Sequence, residues 1–474
     1  MLIVKNIMRQ DFIRAKIPSL RVAIIGAGPA GFYAAERLLQ ENQVMFEVDL
    51  FDRLPTPYGL VRGGVAPDHQ NIKLVEKTFE KIASLPRFRF FGNVELGKHF
   101  FLDTLQHYYD QILLAVGCSG DRRLKIPGED FKGSYSATTL VGWYNSHPDF
   151  SCIDFDFSSV KKVAIIGMGN VAIDIARILM QAPEKLLRTD ISDRALHALK
   201  KSKIQEIYLI GRRGPLQAAF TLKEIQSLAE LENIQLTLEE KEIKSDNLSS
   251  YLNDNASKNI QFLKSLLDKP LIAKQKNIWL RFLLSPIEIL GEKNKIKAIR
   301  LEKNSLIENE YGNLQAKGTG DFEILPVDMV FRSIGYYGVS LPGIPFDQIK
   351  GIIPNEDGKV INSNGKTIEN LYVTGWAKRG PSGVIGTNRN ESITVAQVMI
   401  EDALKKIKCF TKQKNSKISY QWLQKQISNY VSFDNWLSLN QIELDRGVRK
   451  GKIREKFMTI AEMLTCLKKQ SEVL

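Results

Sequence analysis

The stretch Arg21-Val22-Ala23-Ile24-Ile25-Gly26-Ala27-Gly28-Pro29-Ala30-Gly31 is an apolar strand running into G-x-G-x-x-G. It has a counterpart in Val163-Ala164-Ile165-Ile166-Gly167-Met168-Gly169-Asn170-Val171-Ala172, an apolar strand running into G-x-G-x-x-A. Gly26 and Gly28 permit the tight bend and the close approach of a pyrophosphate, and Gly31 lets the next helix pack on the strand. The helix N-terminus adds unpaired N–H groups and positive dipole. Ala172 in place of the last glycine is an accepted variant of the pattern. One such turn is weak evidence. Two, each after an apolar run and before a helical one, predict an α/β chain of two Rossmann-like dinucleotide-binding units with three-layer sandwich folds, the second inserted in the first.

The strand that follows each turn tells the two apart. Phe46 to Phe51 ends in Asp52, whereas Glu206-Ile207-Tyr208-Leu209-Ile210-Gly211 ends in Arg212 and Arg213. An acid there suits a free ribose hydroxyl, and an arginine fork suits a 2′-phosphate. Asp52 read alone could equally be a helix cap or a surface charge, and the arginine pair a solvated basic turn. Together they imply FAD at the first turn, NADPH at the second, and hydride transfer between them.

Around these turns the chain organises further. Residues 32–40 read as a helix and 71–84 as another. The Pro- and Gly-rich stretch 54–69 between them is long enough to be functional. Ile112 to Gly117 and Met329 to Gly335 are buried strands stopped by glycine, and they mark crossings between domains. The resulting division is 1–118 with 335–474 for FAD, and 119–334 for NADPH. Residues 163–178 repeat the strand-turn-helix unit, and an excursion of about thirty residues leads to 206. Residues 240–275 are charged and read as a surface helix or insertion, with strand pieces at 279–284 and 297–302. Leu371 to Trp376 is a last strand, followed by Gly380-Pro381-Ser382-Gly383-Val384-Ile385-Gly386 and a helix over 391–406. Backbone N–H groups in that loop would stabilise the negative edge of a reduced flavin. Trp376 would cover the flavin or wall the nicotinamide pocket; the plainer reading is a core tryptophan beside a loop. The tail after 410 reads as helical and basic.

The 474 residues exceed one ordinary core. A composition 43% hydrophobic and 25% charged is that of a folded globular chain, and no apolar run is long enough to span a bilayer. Cys118, Cys152, Cys409 and Cys466 are far apart, so neither a redox dithiol nor a zinc knuckle is supported, and no metal is expected. Scattered thiols fit a reducing compartment. The net charge of +13 suits an acidic partner as well as general solubility. No basic stripe with interleaved aromatics suggests nucleic acid. Lys5, Arg9, Arg14 and Lys16 make the first twenty residues a basic extension that could be a weak organelle-targeting arm.

Beyond the glycine turns, motifs spread over nearly the whole chain resemble the adrenodoxin-reductase type of ferredoxin–NADP⁺ reductase, its bacterial branch above all. They include Leu54-Pro55-Thr56-Pro57-Tyr58-Gly59-Leu60-Val61-Arg62, Gly64-Val65-Ala66-Pro67-Asp68-His69 and Phe90-Phe91-Gly92-Asn93-Val94. They continue through Gly211-Arg212-Arg213-Gly214-Pro215-Leu216-Gln217-Ala218-Ala219-Phe220-Thr221, Arg332-Ser333-Ile334-Gly335-Tyr336 and Gly375-Trp376-Ala377-Lys378-Arg379-Gly380-Pro381. The resemblance implies FAD contacts at Ala30, Asp52, Leu60, Leu96, Trp376 and Gly383, Val384 and Ile385. It implies NADPH contacts at Gly167, Met168, Gly169, Asn170, Arg212, Arg213, Glu224 and Gly383. His69 and Glu224 match family residues near the nicotinamide and flavin, thought to assist binding and orientation. The plainer readings are a loop cap for His69 and an exposed helix charge for Glu224. Much of the family has glutamate where Asp52 stands, and the tail around Trp436, Glu443, Gly447 and Arg454 follows the pattern only loosely. The implied reaction passes a hydride from NADPH to FAD and single electrons on to an acidic 2Fe–2S ferredoxin, in a monomer of the bacterial cytoplasm or, in a eukaryote, the mitochondrial matrix. Competing readings are a flavin monooxygenase, a diaphorase-like electron-transfer subunit, and a disulfide reductase, for which the cysteine pair is missing.

Overall fold

In a computed structural model, residues 19–244, 254–267, 276–310, 312–406, 427 and 429–472 are described. The basic arm through residue 18, Cys409 and residues 407–426 of the tail lie outside them.

Two parallel sheets account for the architecture, and strand alternation explains why both are buried on two faces. In β1 (Ser19–Ile25), Val22 and Ile24 join one apolar cluster while Ala23 and Ile25 join another on the opposite face. Such a strand reads as a continuous apolar run rather than an alternating one. β1 is followed by α1 (Pro29–Leu39) and β2 (Met45–Phe51). Its sheet has seven strands in the order Asn355–Glu356, Lys359–Ile361, Thr367–Val373, Gln111–Leu114, β1, β2, Phe88–Phe91, parallel except for the first two. The second unit repeats the logic with β3 (Lys162–Ile166), α2 (Asn170–Met180), β4 (Glu206–Ile210) and α3 (Leu222–Ala229). Its six parallel strands run Ser134–Ser136, Met329–Arg332, β3, β4, Lys276–Arg281, Ile234–Leu238. The chain leaves the first sheet after Leu114 and the second after Arg332. On its way each time it forms a two-stranded ribbon, Gly120–Asp121 against Tyr336–Tyr337. The second unit is therefore inserted in the first.

Three parts of the sequence reading need correction. The piece at 279–284 straddles two strands, the end of Lys276–Arg281 in the parallel sheet and the start of Leu284–Glu292; the piece at 297–302 lies within Lys295–Glu308, and a third strand was missed. Leu284–Glu292, Lys295–Glu308 and Leu314–Pro326 form an antiparallel sheet, whose Leu284, Ile289, Ile299 and Leu301 cover Ala164 and Ile166. One outer layer of the second sandwich is thus a sheet. Its outer strand is mostly exposed, so it carries too little apolar signal to read. Within 240–275, the helix Asp254–Leu267 has the expected exposed face, at Lys258, Gln261 and Lys264, but its other face buries Leu263 and Leu266 in the second core. The expected helix over 391–406 begins earlier, giving α4 (Ile385–Lys406), which packs beside α1 with Arg37 Nη2 donating to Gln397 Oε1 at 2.7 Å. In the tail, α5 (Phe433–Arg449) is closed by a Ser432–Asn435 capping box, and Ile460–Ser471 forms a last helix.

The Pro-Gly loop is gripped from both sides. His147, in the second unit, lies against Gly63 of that loop, where a Cβ would come within 2.9 Å of its ring. Its Nδ1 accepts from the Asp149 amide at 3.2 Å, and Asp149 pairs with Arg53 at 2.5 Å. Burial outweighs the Asp149 charge and pulls His147 down to about 4. The buried imidazole is neutral, so its contribution to stability is present above its unfolded value near 6.5 and lost as pH falls toward 4. At about 1.4 kcal/mol per pH unit the loss approaches about 3 kcal/mol. Thermal unfolding followed from pH 7 to 4 is expected to show this decline, and His147→Asn to flatten it.

Candidate functional site

The first glycine turn is shaped by contacts that only glycine allows. Gly26 has φ +111°, and a Cβ there would run into the Ala115 carbonyl; one at Gly31 would run into the Gly26 carbonyl. Gly28, the N-cap of α1, has ordinary extended backbone and nothing within 4 Å of where a Cβ would stand. No protein atom explains the absence of a side chain there. The second turn repeats the pattern: a Cβ at Gly167 (φ +134°) would strike the Ser333 carbonyl, whereas Gly169, capping α2, faces open space.

Two distant segments close on the first turn. A Cβ at Gly59 would lie 3.0 Å from the Gly28 Cα, and one at Gly375 would lie 2.9 Å from the Ala30 Cβ. The Tyr58 amide donates to the Ala27 carbonyl at 2.7 Å. Asp52 Oδ2 accepts from the Ala27 amide at 2.8 Å and Oδ1 from the Leu54 amide at 2.9 Å. Burial still lifts its carboxyl above the usual range. Leu60 is half exposed at the head of the short helix Leu60–Gly63, and Leu96 is buried beneath.

The segment after Thr367–Val373 completes this side. Trp376 Nε1 donates to the Ser382 carbonyl at 3.0 Å, and the Tyr336 ring lies 5.3 Å from the indole. Trp376 is thus neither in the core nor free. Glu391 accepts from the Gly375 amide and pairs with Lys378 and Arg379. Gly383 (φ +77°), Val384 and Ile385 lead into α4, and Val384 is 64% exposed. Cys118 Sγ lies 3.4 Å from the Trp376 carbonyl, and burial pushes its thiol up to about 11. Cys118, Cys152 and Cys466 are free. A thiol held mostly protonated is a poor nucleophile for disulfide exchange.

On the second turn, Asn170 Oδ1 accepts from the Thr221 amide at 2.9 Å, and the Met168 carbonyl accepts from the Ala219 amide at 2.8 Å. These bonds tie the glycine turn to the Arg212–Thr221 loop. The Arg212 carbonyl is held by Asn304 Nδ2 at 2.8 Å, and both guanidiniums are exposed with no ion pair among the described residues. The backbone is fixed and the charges stand free.

Where the two units meet, the structure brings His69 and Glu224 together: His69 Nε2 lies 3.5 Å from Glu224 Oε2, and Nδ1 lies 3.8 Å from Asp174 Oδ1. Glu224 is not an exposed helix charge. Sequence reasoning missed the hub of this cluster, Arg177 on α2. Its guanidinium grips Asp68 through two bonds of 2.7 and 3.0 Å, Asp174 at 2.6 Å and Glu224 at 3.4 Å. The only sequence signal was the i,i+3 spacing of Asp174 and Arg177 on one helix face. Burial raises Asp174 despite Arg177. His69, Asp174 and Glu224 could together ligate a metal, but Arg177 already supplies the positive charge that these carboxylates face.

Known proteins place these features in a family. Residues 20–210 match the model of the pyridine nucleotide-disulphide oxidoreductases. The NADPH-ferredoxin reductase FprA of Mycobacterium tuberculosis is 42% identical over 454 residues, spanning 94% of this chain and 98% of that protein. The mitochondrial NADPH:adrenodoxin oxidoreductase of Arabidopsis thaliana is 37% identical over 473 residues, 96% of each chain. The solved structure of M. tuberculosis FprA in complex with NADPH superposes with a TM-score of 0.89 at 40% identity, covering 95% of this chain and all of that one. The chain belongs to the family of NADPH–ferredoxin reductases of the adrenodoxin-reductase type.

The two kinds of glycine should separate experimentally. Gly31→Ala is expected to cost about 2 kcal/mol through overpacking. Gly28→Ala should stay within about 0.5 kcal/mol, both read by thermal unfolding of protein stripped of small molecules.

Proposed function

We propose that this chain is an FAD-dependent NADPH:ferredoxin oxidoreductase, with residues 1–118 and 335–474 binding FAD and 119–334 binding NADPH. The observation that carries the reading is the pair of glycine turns that leave Gly28 and Gly169 facing open space at helix N-termini, one beside Asp52 and the other beside two unpaired arginines. That space and those N–H groups suit pyrophosphates. Bound side by side, NADPH supplies a hydride and FAD converts it into single electrons for an iron–sulfur protein.

The protein's own part is to bind, orient and enclose. At the first turn Gly26, Gly28 and Ala30 would receive the FAD pyrophosphate, and Gly31 lets the helix pack closely enough to present them. Asp52 keeps a second lone pair on each oxygen for ribose hydroxyls. Leu60, Leu96, Trp376 and Gly383 to Ile385 line the flavin, and the α4 N-terminus favours negative charge there. At the second turn Gly167 to Asn170 receive the NADPH pyrophosphate, and Arg212 and Arg213 take the 2′-phosphate in forked contacts. Glu224, held by Arg177, and His69, which faces Glu224 and Asp174, orient the nicotinamide. The basic balance of the chain favours an acidic 2Fe–2S ferredoxin. Among the described residues no helix is long and apolar enough to cross a membrane. We place the protein, as a monomer, in the bacterial cytoplasm or, if eukaryotic, in the mitochondrial matrix.

Steady-state reduction of a 2Fe–2S ferredoxin by the purified yellow protein should proceed with NADPH and only weakly with NADH. Replacing both Arg212 and Arg213 by Ala is expected to lower kcat/KM for NADPH by about 100-fold or more, at 1.5–3 kcal/mol per charged hydrogen bond lost, and to leave NADH turnover within about twofold. A variant that keeps the full NADPH preference would refute the phosphate assignment. Protein that is colourless and takes up no FAD would refute the reading as a whole.

A further inference from the structure

The tail carries two buried lysines, Lys452 and Lys456, that the reaction as described does not use, and Lys456 is the one that reaches the flavin-side loop. Lys456 follows α5, is 4% exposed, and has its ammonium enclosed by acceptors from two other parts of the molecule. Lys456 Nζ donates to the Arg62 carbonyl at 3.0 Å, in the loop that presents Leu60. It lies 3.3 Å from Asn145 Oδ1 and 2.8 Å from Asp190 Oδ2, both in the second unit. An ammonium has three protons, and here three acceptors take them. Asn145 returns a bond of its own from Nδ2 to the Val65 carbonyl at 3.2 Å. Asp190 also binds Lys73 at 2.7 Å and Gln70 at 2.9 Å, in the short helix Gln70–Lys73 that follows the loop.

A cation is a costly choice for a mere plug. Lys73 and Arg62 crowd it with like charge, and burial with these neighbours pulls its ammonium down to about 7 despite Asp190. A methionine of similar length would fill the space without desolvating a charge, though it would leave the Arg62 carbonyl, Asn145 Oδ1 and Asp190 one donor short. What a methionine lacks is the directed triple contact, which fixes one distance between the flavin-side loop and the second unit.

Building on the proposed function, we propose that Lys456 is a positioning residue: by tying the Arg62 carbonyl to Asn145 and Asp190 it sets the separation of the two dinucleotide sites, and with it the rate at which NADPH reduces the flavin. It touches neither coenzyme; it acts through the Leu60–Arg62 loop and through Asp190.

The test uses the full-length flavin-loaded protein and Lys456→Met. Flavin bleaching is followed in stopped flow at saturating NADPH. A displacement of about 1 Å at the reacting centres can cost about 100-fold, so a fall of about 10- to 100-fold is expected. The NADPH concentration giving half-maximal rate should move by less than about threefold, since the phosphate-binding arginines are untouched. Reoxidation of the dithionite-reduced variant by ferricyanide should keep its normal rate, which a general loss of structure would not allow. Lys456→Gln, which retains a donor, should fall between. An unchanged bleaching rate in flavin-loaded Lys456→Met overturns the inference. So does loss of the flavin from both variants, because a residue that only sets separation leaves that site loaded. If NADPH fails to reduce even the unaltered protein, the proposed function itself falls, and this inference with it.

Discussion

The buried pairing of Arg62 with Glu443 holds the functional parts of this molecule in one arrangement. Glu443 is fully buried and accepts both guanidinium arms of Arg62, at 2.6 and 2.9 Å, a third bond from Arg454 at 3.0 Å and a fourth from the Phe457 amide at 3.0 Å. These bonds and charges keep its carboxyl below the usual range against the desolvation that opposes it. Arg62 in turn stacks over Trp436 at 4.9 Å. A charge buried this deeply persists only when its hydrogen bonds are satisfied, and here the partners come from segments nearly four hundred residues apart. The loop that begins at Leu54 thus takes its shape from the tail, although its sequence neighbours are β2 and the helix after it.

The same loop and the short helix Gln70–Lys73 after it supply contacts to three other places. Tyr58 and Gly59 press on the first glycine turn. Asp68 and His69 reach the Arg177 cluster on α2. Lys73 and Gln70 reach Asp190. Tyr58 pays for this with φ +83°, a conformation uncommon for a side-chain-bearing residue, and its burial against Trp436 over-determines it. A chemistry that needs two rings at van der Waals separation is well served by a joint made of many short, directed bonds.

How far the sequence could be read follows from the range of the forces involved. Both turns were legible because the strand, the glycine spacing and the helix of each are contiguous in sequence, although the carbonyls that forbid a Cβ at Gly26 and Gly167 come from Ala115 and Ser333 on distant strand ends. Asp52 and Arg212 with Arg213 were legible because strand ends have fixed positions relative to such turns. Leu263 and Leu266 were hidden by the charged residues around them, since a helix with one apolar stripe among lysines resembles a solvated one. The strand Leu314–Pro326 was hidden because it is mostly exposed. Asp190, Glu443 and Lys456 left no local trace, and Arg177 only its spacing from Asp174, because most of their partners are set by tertiary folding. His69 and Glu224 were reached only through family resemblance, for the same reason.

The antiparallel sheet over the second unit has a consequence for the history of the chain. Its last two strands meet at the Asn309–Asn313 turn, closed by the Asn309 and Asn313 backbones and capped by Asn309 Oδ1. Their register slips between Glu302 and Asn304, so the ladder is broken at the point where it leaves the core. Inside the slip Leu301 is buried on Ala164 and Ile166; beyond it the strands face water. Residues outside the slip can therefore be gained, lost or exchanged while Asn304 still holds the Arg212 carbonyl. That makes the tip of this hairpin a natural place for lineages to diverge in length, or for a tag or a second module to be grafted, with both coenzyme pockets undisturbed.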